Sequence, residues 1–185
     1  MLNFNQDYFS LFAIPKRYKQ DISHLEETWR KLASKVHPDR YASAGETEKR
    51  IALMMATRIN EAYQTLRSPL LRADYLLHLA EEGHRQKDTV MAMPLDFLEI
   101  QMEWRERIET ARDNQDKATL HLLAQKVTDD IAQLERMISV ALDEEEDYEA
   151  AAMLVQKWHF LEKLDQEIDN VLEALHDEEN THRVT

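Results

Sequence analysis

The sequence predicts an all-α chain in two parts: an antiparallel helical hairpin with flanking helices, then a three-helix bundle. Three observations predict it. Two glycines and four prolines are the only strong breakers in 185 residues, and Leu, Ala, Glu and Gln dominate, all good helix formers. Apolar residues recur at spacings of three and four, the signature of one buried helical face. Alternating β-branched runs between turn clusters, which would signal strands, are missing.

The first apolar cluster is Tyr8, Phe9, Leu11, Phe12 and Ile14. It predicts a short helix opening near Asp7 and stopped by Pro15. Ile22, Leu25, Trp29, Leu32 and Val36 make a clean stripe, and Ser23-His24-Leu25-Glu26 reads as its capping box. This helix must end by Val36, because Pro38 disfavours helical geometry at His37 and donates no backbone hydrogen bond. Ser43-Ala44-Gly45-Glu46 reads as a second box. The helix behind it carries Ile51, Met55, Ile59, Ala62 and Leu66. Two helices joined by so short a loop should pair antiparallel. Ser68-Pro69 restarts a helix, with Ser as cap and Pro at the first position. That helix carries Leu70, Tyr75, Leu76 and Leu79, and Gly83 is expected to end it.

A linker region is expected at 79–94, and its part from Gly83 onward has no clear period. Three longer helical patterns follow, over 95–112, 117–141 and 147–176. The second carries Leu120, Leu123, Val127, Ile131, Leu134, Ile138 and Ala141. The third carries Ala151, Leu154, Trp158, Leu161, Ile168, Leu172 and Leu175. Three amphipathic helices with short turns make a minimal bundle. The expected domains are 1–78 and 95–178, with a tail at 179–185.

Charge divides along the same line. Residues 1–75 hold twelve Lys/Arg against nine Asp/Glu, and residues 76–185 hold eleven against 27. A mildly basic front and a strongly acidic rear point to two different partners. The balance argues against nucleic acid, because neutralising phosphates needs a basic surface. No apolar run is long enough to span a membrane, and Met1-Leu2-Asn3-Phe4-Asn5 lacks the basic-then-apolar plan of a signal peptide. With no cysteine, disulfides, thiolate nucleophiles and cysteine metal sites are excluded. A cytoplasmic protein without a cofactor is the expectation, with neither a nucleic-acid nor a membrane partner.

The chemistry concentrates at His37-Pro38-Asp39, where the paired helices turn. Taken alone, these three residues read as an ordinary turn. Their setting adds more. Arg30, Lys31 and Lys35 lie off the apolar stripe of the preceding helix, and Arg40 follows the loop. Together they make a basic face leading to a rigid polar tip. Asp39 can bond an arginine of a partner with charge assistance. Pro38 fixes the loop beforehand and lowers the cost of ordering it.

The helix at 95–112 has two apolar stripes. Phe97, Ile100, Trp104, Ile108 and Ala111 form the expected core side. Leu95, Leu98 and Met102 fall nearly opposite, among Glu99, Glu103 and Glu106. A helix buried on two sides is one reading. An exposed apolar strip rimmed by carboxylates, the form of a protein-binding patch, is the other. Phe160, off the main stripe of the last helix, is expected to extend it.

Two resemblances sharpen this. His37-Pro38-Asp39, with Ile59-Asn60-Glu61-Ala62-Tyr63 and Arg72-Ala73-Asp74-Tyr75, resembles the J-domain of co-chaperones. That implies a DnaK/HscA-type 70-kDa heat-shock chaperone as partner. It also implies ATPase stimulation by His37, Pro38 and Asp39, with docking by Arg30, Lys31, Lys35 and Arg40. The whole chain resembles the J-type co-chaperones of iron–sulfur cluster assembly, the HscB/Jac type. Asp7-Tyr8-Phe9-Ser10-Leu11-Phe12, Thr65-Leu66-Arg67-Ser68-Pro69-Leu70, Arg72-Ala73-Asp74-Tyr75-Leu76-Leu77 and Phe160-Leu161-Glu162-Lys163-Leu164 carry that likeness. It implies that the rear bundle binds the cluster scaffold protein (IscU type) and delivers it to HscA. The family's scaffold-binding positions fall on Leu98, Met102, Glu103, Glu106 and Phe160. Glu99 departs from the apolar residue expected there, and Leu95 or Ile100 is placed to compensate.

A J-protein for another client fits the front half equally well. An enzyme reading rests on Glu81-x-x-His84 and Glu173-x-x-His176, the spacing of di-iron bundles. Neither pair sits in an inward-facing run with further matching glutamates. The acidic run Asp143–Asp147 lacks the glycine and ligand spacing of a calcium loop and reads as a solvated turn before a helix N-terminus.

Overall fold

The computed structural model describes residues 6–41, 43–84 and 95–184, except the side chains of Pro38, 82–84 and 179–184. The 85–94 part of the expected linker, and Thr185 of the tail, lie outside the described residues. Every regular element among the described residues is helical. They are α1 (Tyr8–Phe12), α2 (Ile22–Lys35), α3 (Glu46–Arg67), α4 (Pro69–His84), α5 (Leu95–Asp113), α6 (Lys117–Asp143) and α7 (Tyr148–Val184), with a 3-10 turn at Pro38–Tyr41. Contacts divide the chain into two compact units. The first holds residues 1–85 together with 139–148; the second holds 86–138 and 149–185.

In the first unit, α1 is short because its ends are fixed locally. The Asp7 carboxylate accepts from the Ser10 N–H at 2.8 Å, and Ala13 turns left-handed at φ 53°, a common way to close a helix. Phe9 and Phe12 are buried. Tyr8 stacks on Tyr75 with ring centroids 4.6 Å apart, and the Tyr8 N–H donates to the Tyr75 hydroxyl at 3.0 Å. Burial of that hydroxyl holds its pKa above the ordinary tyrosine value, against the opposing Tyr8 bond.

The α2–α3 pair is antiparallel. Trp29, midway along α2, stacks on Tyr63 late in α3 at 4.7 Å and donates from Nε1 to Asn60 Oδ1 at 2.9 Å. Leu25, Ile59, Ala62 and Leu66 are fully buried between the helices. Some local readings need correcting. Asp21, not Ser23, caps α2, accepting from the His24 N–H at 3.1 Å; the stripe already begins at Ile22, so the cap must precede it. On α3, Gly45 is the cap, and Glu48 Oε2 accepts from its N–H at 3.4 Å. Ile51 is exposed, and Ala52 takes the inward position instead. Helix α4 runs one residue past Gly83.

In the second unit three helices share one core. Leu120, Leu123, Val127, Ile138, Leu164 and Ile168 are at its centre, and Trp104, Ile108 and Trp158 complete it. The turn into α6 is built from Gln115 at φ 52° and the Asp116 cap. The Asp116 carboxylate accepts from the Thr119 N–H and Oγ1, at 3.0 and 2.6 Å. Those bonds hold its pKa below the usual carboxylate range.

Candidate functional site

Two surfaces were expected to carry function, and each lies within one unit. The first is the tip of the α2–α3 hairpin. Helix α2 stops at Lys35, Val36 is buried as its C-cap, and the backbone of Pro38 opens the 3-10 turn. The Arg40 N–H returns to the His37 carbonyl at 3.0 Å. Arg40 Nη1 reaches the Ser34 carbonyl at 3.3 Å, and the Tyr41 hydroxyl donates to the Lys35 carbonyl at 3.4 Å. The tip is therefore tied back onto the end of α2.

His37 and Asp39 are neighbours within the tip. The Asp39 N–H donates to His37 Nδ1 at 3.4 Å, and Asp39 Oδ2 lies 3.5 Å from the same nitrogen. The two uses of Nδ1 exclude each other: unprotonated it accepts from the amide, protonated it pairs with the carboxylate. The Asp39 side chain is 90% exposed. A carboxylate in water pairs weakly with an exposed imidazole, so it is open to a stronger donor.

The basic face is partly compensated. Arg30 bonds Glu26 at 2.5 Å and Lys31 lies 3.6 Å from Glu27, both one helical turn away. Exposed pairs of this spacing contribute only about 0.3–0.5 kcal/mol. A partner carboxylate can replace Glu26 or Glu27 at small cost.

The second surface is the outer side of α5. Leu95 is 77% exposed, Met102 73% and Leu98 46%. Glu99, Glu103 and Glu106 stand exposed among them. Phe97, Trp104, Ile108 and Ala111 are buried on the opposite side, as the two-stripe reading expects. Two residues depart from it. Ile100 is exposed and lines a groove of about 240 Å³ beside Trp104, Leu134 and Met137. Phe160 is not on the strip. It is 8% exposed and meets Phe97 edge-on, with centroids 5.3 Å apart. The buried arc of α7 rotates from Ala151, Val155 and Trp158 toward Leu164, Ile168 and Leu175, so a position off the first stripe still turns inward. Phe160 thus stands behind α5, where it supports the helix that carries the strip.

Comparison with known proteins agrees with both halves. Residues 7–75 match the DnaJ domain, and residues 93–169 match the HSCB C-terminal oligomerisation domain. A co-chaperone protein HscB homolog of Chromobacterium violaceum is 48% identical over 175 residues, covering 95% of this chain and 98% of that one. The chain belongs to the HscB family of co-chaperones. Its fold is the family's as well. Chaperone HscB from Vibrio cholerae superposes with a TM-score of 0.78 at 35% identity, covering 92% of this chain and 99% of the other. Human co-chaperone HscB superposes at 0.80 with 28% identity, covering 90% and 82%.

Membership settles the class of function. This HscB-family chain is a co-chaperone of iron–sulfur cluster assembly that works with a 70-kDa heat-shock-type chaperone, and it is not an enzyme. Glu173 and His176, half of the di-iron alternative, stand exposed on α7; the His84 side chain of the other half lies outside the described residues. Among the described residues, no group of three His, Asp or Glu side chains comes together as a metal site, and no helix is long and apolar enough to cross a membrane.

Proposed function

We propose that this chain captures the iron–sulfur scaffold protein (IscU type) on α5 and presents it to an HscA-type chaperone, whose ATPase it stimulates through His37, Pro38 and Asp39. Labour divides between a J-domain over 1–78 and a scaffold-binding bundle over 95–178. Arg30, Lys31, Lys35 and Arg40 dock the chaperone. Leu95, Leu98 and Met102 form the apolar centre of the scaffold contact, and Glu99, Glu103 and Glu106 form its rim. The reaction takes place in the cytoplasm.

One observation carries the scaffold half: three large apolar side chains lie exposed along one line of α5 with three carboxylates around them. Covering such side chains contributes roughly 1.5–3 kcal/mol each when burial is complete. The carboxylates then select a partner with a basic border and speed its encounter. On the chaperone side, the exposed Asp39 carboxylate suits an arginine fork. The bond hydrolysed belongs to the chaperone's nucleotide, and this chain biases the state that hydrolyses it.

The test is the ATPase rate of an HscA-type chaperone with this protein, with and without scaffold. More stimulation from the pair than from the two added separately is expected. Purely additive rates would remove the scaffold from the proposal and leave a J-protein for another client.

A further inference from the structure

The turn after α6 carries the run Asp143-Glu144-Glu145-Glu146-Asp147, and Asp143 stands at its head as the last residue of α6. A carboxylate there faces the negative end of the helix dipole, an unfavourable place for it. Its surroundings supply the compensation. Asp143 Oδ1 accepts from the Tyr18 N–H at 2.6 Å and Oδ2 from the Lys19 N–H at 2.8 Å. Both oxygens are used, on two consecutive amides more than a hundred residues away in sequence.

We infer that Asp143 is a latch that makes the α6–α7 turn a working part of the first unit, by fixing the loop that leads into α2. Three further observations support it. Residues 139–148 group with 1–85 and not with the helices on either side of them in sequence. Inside the loop it grips, Gln20 Nε2 donates to the carbonyls of Pro15 and Arg17 at 2.8 and 2.7 Å and draws the segment into one turn. A solvent-open cleft borders the turn. A cavity of about 320 Å³ lies there, lined by Lys16, Arg17, Leu76, Leu79, Leu142 and Tyr148 among others. Beside this cleft, two charge-assisted bonds hold the turn to the loop.

The latch also reaches the helix pair. Tyr18 is buried, and the Arg72 guanidinium lies 5.0 Å over its ring. Arg72 is itself buried and donates from Nη1 to the Leu66 carbonyl at 2.6 Å, near the end of α3. Gripping Tyr18 therefore holds one end of a chain of contacts, Asp143 to Tyr18 to Arg72 to Leu66. By this reading the turn adds to residues 6–84 the acceptors that the Tyr18 and Lys19 amides use.

Amide hydrogen exchange on the full-length protein tests this. Asp143→Ala should speed exchange at Tyr18 and Lys19 by about tenfold or more, the loss expected for bonds to a charged acceptor. Asp143→Asn keeps one acceptor oxygen and should fall between, which keeps the test open if the alanine variant folds poorly. Glu145→Gln removes the same charge from the same run without touching the two amides, and should leave both rates unchanged. Equal effects of Glu145→Gln and Asp143→Ala would reduce the feature to a general field and overturn the latch. So would unchanged exchange in Asp143→Ala, or acceleration shared equally with the amides of Leu25 and Ile59.

Discussion

The hairpin tip and the α5 strip are opposites in construction. The tip is polar, short and tied down by its own backbone and side-chain bonds. The strip is apolar, long and has no structure of its own beyond the helix that displays it. The difference follows from what each must do. A signal to an ATPase needs one group held in one place, because only a geometry matched to the active conformation shifts the partner's equilibrium. A cargo site needs area and a tolerant rim, because affinity for a folded client comes from covered apolar surface. One surface is specified by three residues, the other by a pattern spread over three helical turns.

The largest expected effect breaks the two apart. His37→Gln removes the imidazole that shares Nδ1 between the Asp39 amide and carboxylate. Glutamine leaves the backbone turn possible but does not hold Asp39 in the same way. Stimulation of the chaperone ATPase should be lost, and scaffold affinity, measured by calorimetry on the same preparation, should not move. Retained stimulation would show that the tip is only a turn.

Next comes the converse change. Leu98→Ala with Met102→Ala strips the strip and leaves the core side of α5 intact, since both side chains are exposed. Scaffold binding should weaken by about 2–3 kcal/mol, on the order of a hundredfold in Kd. ATPase stimulation without scaffold should stay at the parent level. Equal affinity before and after would move the cargo site elsewhere on the bundle.

These two surfaces were not equally legible in the sequence. The tip was readable because Pro38 and the stripe ending at Val36 force a turn, and His37 and Asp39 can only stand at it. The core of both units was readable for the same reason: Leu25, Ile59, Leu66, Leu120, Val127 and Ile138 sit on stripes of helical period and are buried. Departures came where tertiary packing overrode a stripe. Ile100 continues the core stripe of α5 yet faces an open groove. Phe160 leaves its stripe yet packs on Phe97. A helix as long as α7 changes its buried side along its length, and one periodic template misses that. Asp21 was missed as a cap although its place before Ile22 pointed to it. Asp143 reads in the sequence only as part of a solvated acidic turn, since the partners it bonds are backbone amides, which carry no residue identity.

A smaller effect refines the rim of the strip. Glu103→Gln with Glu106→Gln keeps the size and helix preference of both positions while removing two exposed charges. Rim charges act mainly on encounter, so the association rate should fall a few-fold at low salt and the difference should shrink near 0.5 M salt. A change confined to the dissociation rate would place these carboxylates inside the contact and not around it.

The smallest effect asks whether the acidic bundle carries its charge passively. Burial, then the charge of Asp169 one turn on, pushes the Asp165 carboxyl above its ordinary pKa. The folded state therefore keeps that proton longer than the unfolded chain does. Its contribution to stability is complete below the unfolded pKa and is lost as pH rises through the folded one. At neutral pH Asp165 works against the bundle, and Asp165→Asn should raise the melting temperature slightly, an advantage that vanishes in acid. Asp116 has the opposite sign. The Thr119 bonds lower its pKa, so it stabilises above the unfolded pKa and stops doing so as pH falls through the folded value. Asp116→Ala should lower the melting temperature at neutral pH, with a deficit that narrows in acid. Melting curves of both variants from neutral to acidic pH should thus converge on the parent from opposite sides. Convergence from the same side would mean that net charge alone, and not these two local environments, governs how the bundle responds to pH.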